Sequence, residues 1–257
     1  MIQIPKIGLG TWLVPDNEAA ATVRTAIECG YRHIDTAQAY ENEAGVGEGV
    51  RTCGIPREQI FITSKVAAEI KNYKDAAASV DASLQRLGLG YIDLMLIHCP
   101  QPWDEFRGLK RYFKENREVW KALEEALDAG KVKAIGVSNF LEDDLCNILD
   151  DCTVRPAANQ FEIHVGNTPA GLIEFCRREG VMVEAYSPIA HGRALNDTRL
   201  KEMAGRYGVG TAQLCIRYTL QLGAVSLPKS TDPEHIKSNL DVNFEISEED
   251  MDILKTF

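Results

Sequence analysis

Short apolar runs alternate along this chain with segments whose apolar residues recur at helical spacing. Ile7 to Trp12 reads as a strand whose glycines, Gly8 and Gly10, admit close backbone or ligand approach. Asp16-Asn17 offers an N-cap, Ala19, Val23 and Ile27 mark one helix face, and Gly30 ends it. Tyr31 to Asp35 is the next strand, and a helix follows from Asn42 to Cys53. Ile60 to Ser64 reads as a strand ending at Lys65. Val80, Leu84 and Leu87 line a third helix, stopped by Gly88 and Gly90. Tyr91 to Ile97 is almost wholly apolar, as expected of a strand buried on both faces, and it runs into His98. The polar and aromatic stretch 101–116 reads as a long functional loop. Val119, Leu123 and Leu127 then mark a helix ended by Gly130.

The second half repeats the alternation. Strands are predicted at Val132–Val137, Pro156–Asn159, Val181–Ala185 and Ala224–Leu227. They lead into Ser138-Asn139, Gln160, Tyr186-Ser187 and Lys229-Ser230. Helical spacing lies between them, through Leu141, Leu145 and Ile148, then Leu172, Ile173 and Cys176, and then over 198–207 and 211–222. Pro233 opens a last helix towards Asn239. Polar groups that follow successive strands (35, 65, 98, 138, 160, 186, 229) are separated by 22 (138 to 160) to 43 (186 to 229) residues, room for one helix each. Buried strands alternating with helices predict a parallel sheet, and eight such units close into a (β/α)8 barrel. The fold class is therefore α/β, a TIM barrel forming one domain over residues 1–257. A dinucleotide-binding Gly-x-Gly-x-x-Gly turn is absent. Gly45-Val46-Gly47-Glu48-Gly49 has the wrong spacing and lies inside a helical pattern.

Composition narrows the function. A net charge of −10 argues against a general nucleic-acid or anionic-membrane surface, yet a few local cations suffice for an anionic cofactor. Seven scattered cysteines without a C-x-x-C pair fit reduced thiols in the cytoplasm. Five separated histidines give no metal-binding spacing, so no metal is expected. No apolar run approaches a membrane span, and the N-terminus lacks a signal-peptide core. Without a surface pattern marking an interface, a monomer is expected.

Asp35, Tyr40, Lys65 and His98 follow neighbouring strands, so a barrel brings them together. A tyrosine is a poor acid at neutral pH, and a nearby Lys65 would favour its phenolate. Asp35 would hold that lysine, and His98 would orient a carbonyl. The set suits protonation of a carbonyl oxygen as hydride reaches the carbon, and the hydride must come from a cofactor. Alone, each residue has an ordinary explanation: a turn aspartate, a loop aromatic, a solvated lysine and a structural histidine. Only their joint placement favours chemistry.

Nearly the whole chain resembles an aldo-keto reductase. The matching stretches are Gly8-Leu9-Gly10-Thr11-Trp12, Asp35 to Tyr40 with Glu41-Asn42-Glu43, Lys65, Leu84 to Leu89 before Tyr91 to Leu94, and His98. They continue with Gly136 to Phe140, Asn159 to Glu162, Tyr186-Ser187-Pro188 and Pro228-Lys229-Ser230. The resemblance implies a catalytic tetrad of Asp35, Tyr40, Lys65 and His98, with Tyr40 as general acid. It implies bound NADP(H), with Ser138, Asn139 and Gln160 on the carboxamide, Tyr186 stacked on the ring and Ser187, Pro188, Ile189 and Ala190 along the pyrophosphate. Gly10, Thr11, Trp12 and Asp35 join the cofactor site. Lys229, Ser230, Thr231 and His235 meet the 2′-phosphate region, and Asn239 lies near the adenine. Amides at the start of the helix after Pro233 suit phosphate. Trp12, Tyr40, His98 and Trp103 would meet a small carbonyl substrate.

Four departures from the family pattern alter these expectations. His235 stands where many members carry an arginine, which weakens the preference for NADP(H) and makes NAD(H) usable. Val66-Ala67 replaces a common tryptophan. The six residues before Ile7 look short for the family's N-terminal hairpin, and the end at Phe257 looks short of its closing tail. Two other readings stay open: a Schiff-base aldolase using Lys65, and a non-catalytic cofactor-binding, redox-sensing subunit.

Overall fold

A computed structural model describes residues 2–257; Met1, the first residue of the expected 1–257 domain, lies outside the described residues. The elements follow in order as β1 (Leu9–Gly10), α1 (Asp16–Cys29), β2 (His33–Asp35), α2 (Glu43–Thr52), β3 (Phe61–Val66), α3 (Tyr73–Leu87), β4 (Leu94–Ile97) and α4 (Phe113–Asp128). Then come β5 (Ile135–Ser138), α5 (Glu142–Leu149), β6 (Ala158–Glu162), α6 (Ala170–Arg178), β7 (Met182–Tyr186), α7 (Thr198–Arg206), α8 (Thr211–Gln221), β8 (Val225–Leu227), α9 (Pro233–Ser238) and α10 (Glu248–Lys255). The strands pair in parallel in the order β1 to β8. Ile7 bridges Ser226, and the amide of Gly8 donates to the Ser226 carbonyl at 2.9 Å, so the last strand meets the first. The expected (β/α)8 barrel is the observed fold.

Two apolar layers hold it. Side chains from the outer strand faces pack against the helices, with Ile34, Ile62, Met95, Ile97 and Val137 fully buried there. Inside the barrel, Phe61, Leu94, Leu96, Ala134, Ala158, Val225 and Leu227 form a second cluster. Ile4 joins it from the N-terminal segment, and Ile2 packs on its edge. Above this plug the interior turns polar. His33 Nε2 meets Thr63 Oγ1 at 3.0 Å, and Asp35, Lys65, Gln160 and Glu184 form the next level. Apolar below and polar above is what puts chemistry at the strand C-termini.

Some boundaries differ from the sequence reading, for reasons that lie in neighbouring strands. β3 continues past Ser64 because Lys65 and Val66 stand in register with Leu96 and Ile97 of β4. Lys65 therefore sits on a strand, not after one. β6 starts later than predicted and runs to Glu162, because its register with β7 extends from Ala158–Met182 to Glu162–Tyr186. The expected long loop contains a 3-10 turn, Trp103–Glu105, and α4 begins at Phe113. Asp16 is the first residue of α1 rather than its cap; its carboxylate takes the Gly45 amide at 2.8 Å. No helix among the described residues is long and apolar enough to cross a membrane.

Candidate active site

Asp35 ends β2, and its backbone carbonyl is fixed by Thr11 through both the amide (3.0 Å) and the hydroxyl (2.9 Å). Its Oδ1 accepts from Lys65 Nζ at 2.6 Å. Lys65 is completely buried; it also donates to the Thr36 carbonyl at 2.9 Å and to the Tyr40 hydroxyl at 3.4 Å. Burial opposes its charge, but Asp35 and then Tyr40 more than offset that and hold the ammonium above the usual lysine range. Three of the four predicted catalytic residues are thus in direct contact.

Tyr40 ends a 3-10 turn, Gln38–Tyr40, that would fray alone. The Gln38 side chain ties it to α3: its amide donates to the Ser79 carbonyl and the Ser83 hydroxyl, both at 3.0 Å, and its oxygen takes the Ala67 amide at 2.9 Å. Asn42 holds the other side, accepting from Thr36 and donating to the Thr11 and Val14 carbonyls. The balance at the hydroxyl corrects the sequence argument. Burial raises the Tyr40 pKa more than Lys65 lowers it, and Asp35 cancels part of the lysine's field. Tyr40 is a neutral phenol with a proton to give.

His98 follows β4, with its ring edge-on to Tyr40 (centroids 5.6 Å) and to Trp103 (5.1 Å). Burial, then the charges of Lys65 and Lys71, keeps its pKa well below the ordinary value. The imidazole is therefore neutral, and its Nδ1 has no partner among the described residues.

The predicted carboxamide group is built as a network. Ser138 Oγ donates to the Gln160 carbonyl at 2.8 Å, Asn139 Nδ2 donates to the His98 carbonyl at 3.0 Å, and Tyr186 OH donates to Asn139 Oδ1 at 2.9 Å. Gln160 is engaged differently from the sequence expectation: its NH2 is spent on Asp35 Oδ2 (2.8 Å) and Glu184 Oε2 (2.9 Å). Among the described residues, its side-chain oxygen Oε1 takes no hydrogen bond.

Beyond Tyr186, Ser187, Ala190 and His191 adopt left-handed backbone (φ 53°, 51° and 53°), which costs non-glycine residues energy and recurs at ligand sites. His191 meets the Ser187 hydroxyl at 3.3 Å and the Trp12 ring at 5.4 Å, joining the loop after β7 to the loop after β1. Gly10 lies where an added Cβ would come within 3.4 Å of the Leu227 carbonyl. Lys229 and Thr231 before α9, and His235 on it, are exposed. The expected free amides at the start of α9 are already capped: Asp232 Oδ1 takes those of Glu234 (2.9 Å) and His235 (3.0 Å). Ser230 Oγ accepts from the Asp232 amide at 3.1 Å. Asn239, just past α9, is buried.

Three participants escaped the sequence reading. Gln38 and His191 gave no signal, since isolated polar loop residues are ordinary. Glu184 did give one: it is a charge in the apolar run Val181–Ala185, two residues before Tyr186 and therefore on the same face.

A model of the Aldo/keto reductase family matches residues 6–257 of this chain. The chain is 41% identical over 253 residues to a glyoxal reductase of Bacillus subtilis (strain 168), covering 98% of this chain and 88% of that protein. A crystal structure of an aldo-keto reductase enzyme from a Medee basin deep-sea metagenome library superposes with a TM-score of 0.92 at 36% identity, covering 99% of this chain and 92% of that one. A Bombyx mori aldo-keto reductase in complex with NADP gives a TM-score of 0.88 at 32% identity, covering 98% and 89%.

Proposed function

The chain belongs to the aldo/keto reductase family, and from that premise we propose that it reduces small aldehydes and ketones with NADP(H), using Tyr40 as the proton donor. The observation that carries this reading is the contact series Asp35–Lys65–Tyr40 beside a neutral His98. The cofactor's chemistry is the delivery of hydride to the carbonyl carbon. The residues present suit such a group. Gln160 turns its unbonded amide oxygen away from the two carboxyls that hold its NH2. Tyr186 offers a partly open ring, and Lys229 an exposed cation.

The protein's own part is proton movement and orientation. Tyr40 gives its phenolic proton to the carbonyl oxygen. Lys65, poised at that hydroxyl, stabilises the phenolate as it forms, and Asp35 keeps the lysine charged and in place. His98 contributes a hydrogen bond and not a charge. Trp103 and Trp12 are the exposed aromatic walls for the substrate, and Ser138, Asn139 and Gln160 hold the nicotinamide end. The pairing of Lys65 counts against a Schiff-base aldolase, because an ion-paired ammonium is a poor amine nucleophile.

Tyr40→Phe tests the assignment. Loss of the general acid is expected to cut turnover by about 10²- to 10⁴-fold. NADPH affinity, read by fluorescence titration, should stay near wild type. Retained reduction of a panel of aldehydes and ketones would remove Tyr40 from the role.

A further inference from the structure

Glu184 is a polar group of the barrel interior that the proposed chemistry leaves without a task. It lies on β7 with its side chain fully buried. Its Oε2 accepts from Gln160 Nε2 at 2.9 Å, and its Oε1 has no partner among the described residues. The same nitrogen donates to Asp35 Oδ2 at 2.8 Å. One neutral amide therefore bridges two carboxyl groups. Asp35 spends its other oxygen on Lys65 at 2.6 Å, and Lys65 reaches the Tyr40 hydroxyl at 3.4 Å. Glu184, Gln160, Asp35, Lys65 and Tyr40 form an unbroken series of contacts.

Two carboxylates on one amide repel each other in a dry interior, so one of them holds a proton. Asp35 has the lysine as counter-ion, whereas Glu184 has no cation within ion-pair distance among the described residues. The unpartnered Oε1 agrees, because an orphaned hydroxyl costs less than an orphaned carboxylate oxygen. We propose that Glu184 is a proton-bearing positioning residue for the Tyr40 acid. Neutral, it pins the Gln160 amide and leaves Asp35 with an undivided claim on Lys65. Ionised, it adds a second negative charge beneath that pair and weakens Tyr40 as an acid. The proposal rests on the reading of Tyr40 as proton donor.

The surroundings fit such a switch. Burial, then the Asp35 charge, pushes the Glu184 carboxyl up to about 7, with Lys65 on β3 and the Gln160 hydrogen bond pulling the other way. His33, two residues before Asp35 on β2, is kept neutral by burial. β8 presents apolar Val225 at the register position of Glu184. A carboxyl that titrates near 7 is about ten times more protonated at pH 6 than at pH 8. Carbonyl reduction at saturating NADPH should therefore fall severalfold, up to about tenfold, over that interval.

The experiment is a pH profile of kcat for one reduced aldehyde, with NADPH affinity measured in parallel, in wild type and Glu184→Gln. The variant keeps a neutral side chain, so its ratio of turnover at pH 6 to pH 8 should shrink to about one, whatever its absolute level. An unchanged ratio overturns the proposal. Infrared difference spectroscopy of the wild type gives a second readout. A protonated-carboxyl band should be present at pH 6, fade by pH 8, and be missing in Glu184→Gln. Its absence at pH 6 overturns the proposal without reference to turnover. A wild type that reduces no carbonyl at any pH would instead sink the reductase reading, while the infrared band still decides the proton on Glu184.

Discussion

A tyrosine with a raised pKa and a lysine with a raised pKa fit one another at this site. In the proposed reaction the first would keep its proton until a carbonyl oxygen demands it, and the second would supply the charge that the phenolate needs. The same residue-level logic reaches the far end of the proposed cofactor site. His235 is exposed, and its backbone amide is consumed by Asp232, so only its imidazole is left to meet a 2′-phosphate. An imidazole offers one hydrogen bond, where a guanidinium offers two and a permanent charge. His235→Arg is expected to tighten NADPH by about tenfold, the equivalent of one charge-assisted bond, with NADH unmoved. Fluorescence titration with both cofactors checks it. Equal tightening of the two, or none, would take position 235 out of contact with that phosphate.

Among the elements, α2 is the one whose sequence looks least like a helix, with Gly45, Gly47 and Gly49 in ten residues. Packing explains them. A Cβ on Gly47 would fall inside contact distance of the Leu87 carbonyl at the end of α3, and one on Gly49 would lie 2.7 Å from Val23 Cβ of α1. The helix is wedged between its neighbours, and it directly follows the turn that carries Tyr40. Gly47→Ala should therefore destabilise the protein by about 1–3 kcal/mol, despite alanine's better helix propensity. At Gly205 in α7 an added Cβ meets nothing within 4 Å, so Gly205→Ala should stabilise by about 0.5–1 kcal/mol. Urea denaturation of both variants separates the two effects, and a neutral Gly47→Ala would mean that the helices can part cheaply. Such wedging is invisible in sequence, where the glycines said only that this was no nucleotide-binding turn. The alternation of strands and helices was legible because burial writes it locally. Where β3 and β6 stop was not, because register with β4 and β7 decides it. Asp35, Lys65 and His98 could be singled out since each lies at or beside a strand end. The tethering of Tyr40 by Gln38, and of Gln160 by Glu184, needed partners 41 to 45 and 24 residues away.

For the whole molecule, two buried groups inside the barrel pull stability in opposite directions with pH. Burial lowers His33 from 6.5 to about 4, so the unfolded chain takes up a proton below pH 6.5 that the folded protein refuses. Its contribution is complete above 6.5 and is lost as pH falls through 4. Burial, then Asp35, raises Glu184 from 4.5 to about 7, so its contribution is complete below 4.5 and is lost as pH rises through 7. Each shift spans about 2.5 pH units, which is about 3 kcal/mol by linkage. Between 4.5 and 6.5 the two slopes cancel. Removing one group should expose the other. Relative to wild type, Glu184→Gln should gain stability as pH rises from 4.5 to 6.5, because the His33 slope is no longer opposed. His33→Gln should lose stability over the same interval, because only the Glu184 slope remains. Urea denaturation at pH 4.5, 5.5 and 6.5 measures both, and taking variant minus wild type removes the contribution of every other titrating group. Differences that stay flat across the interval would mean that both side chains titrate as they do in the unfolded chain. The polar layer beneath Tyr40 would then be wet, and the dry interior on which the proton of Glu184 depends would be gone.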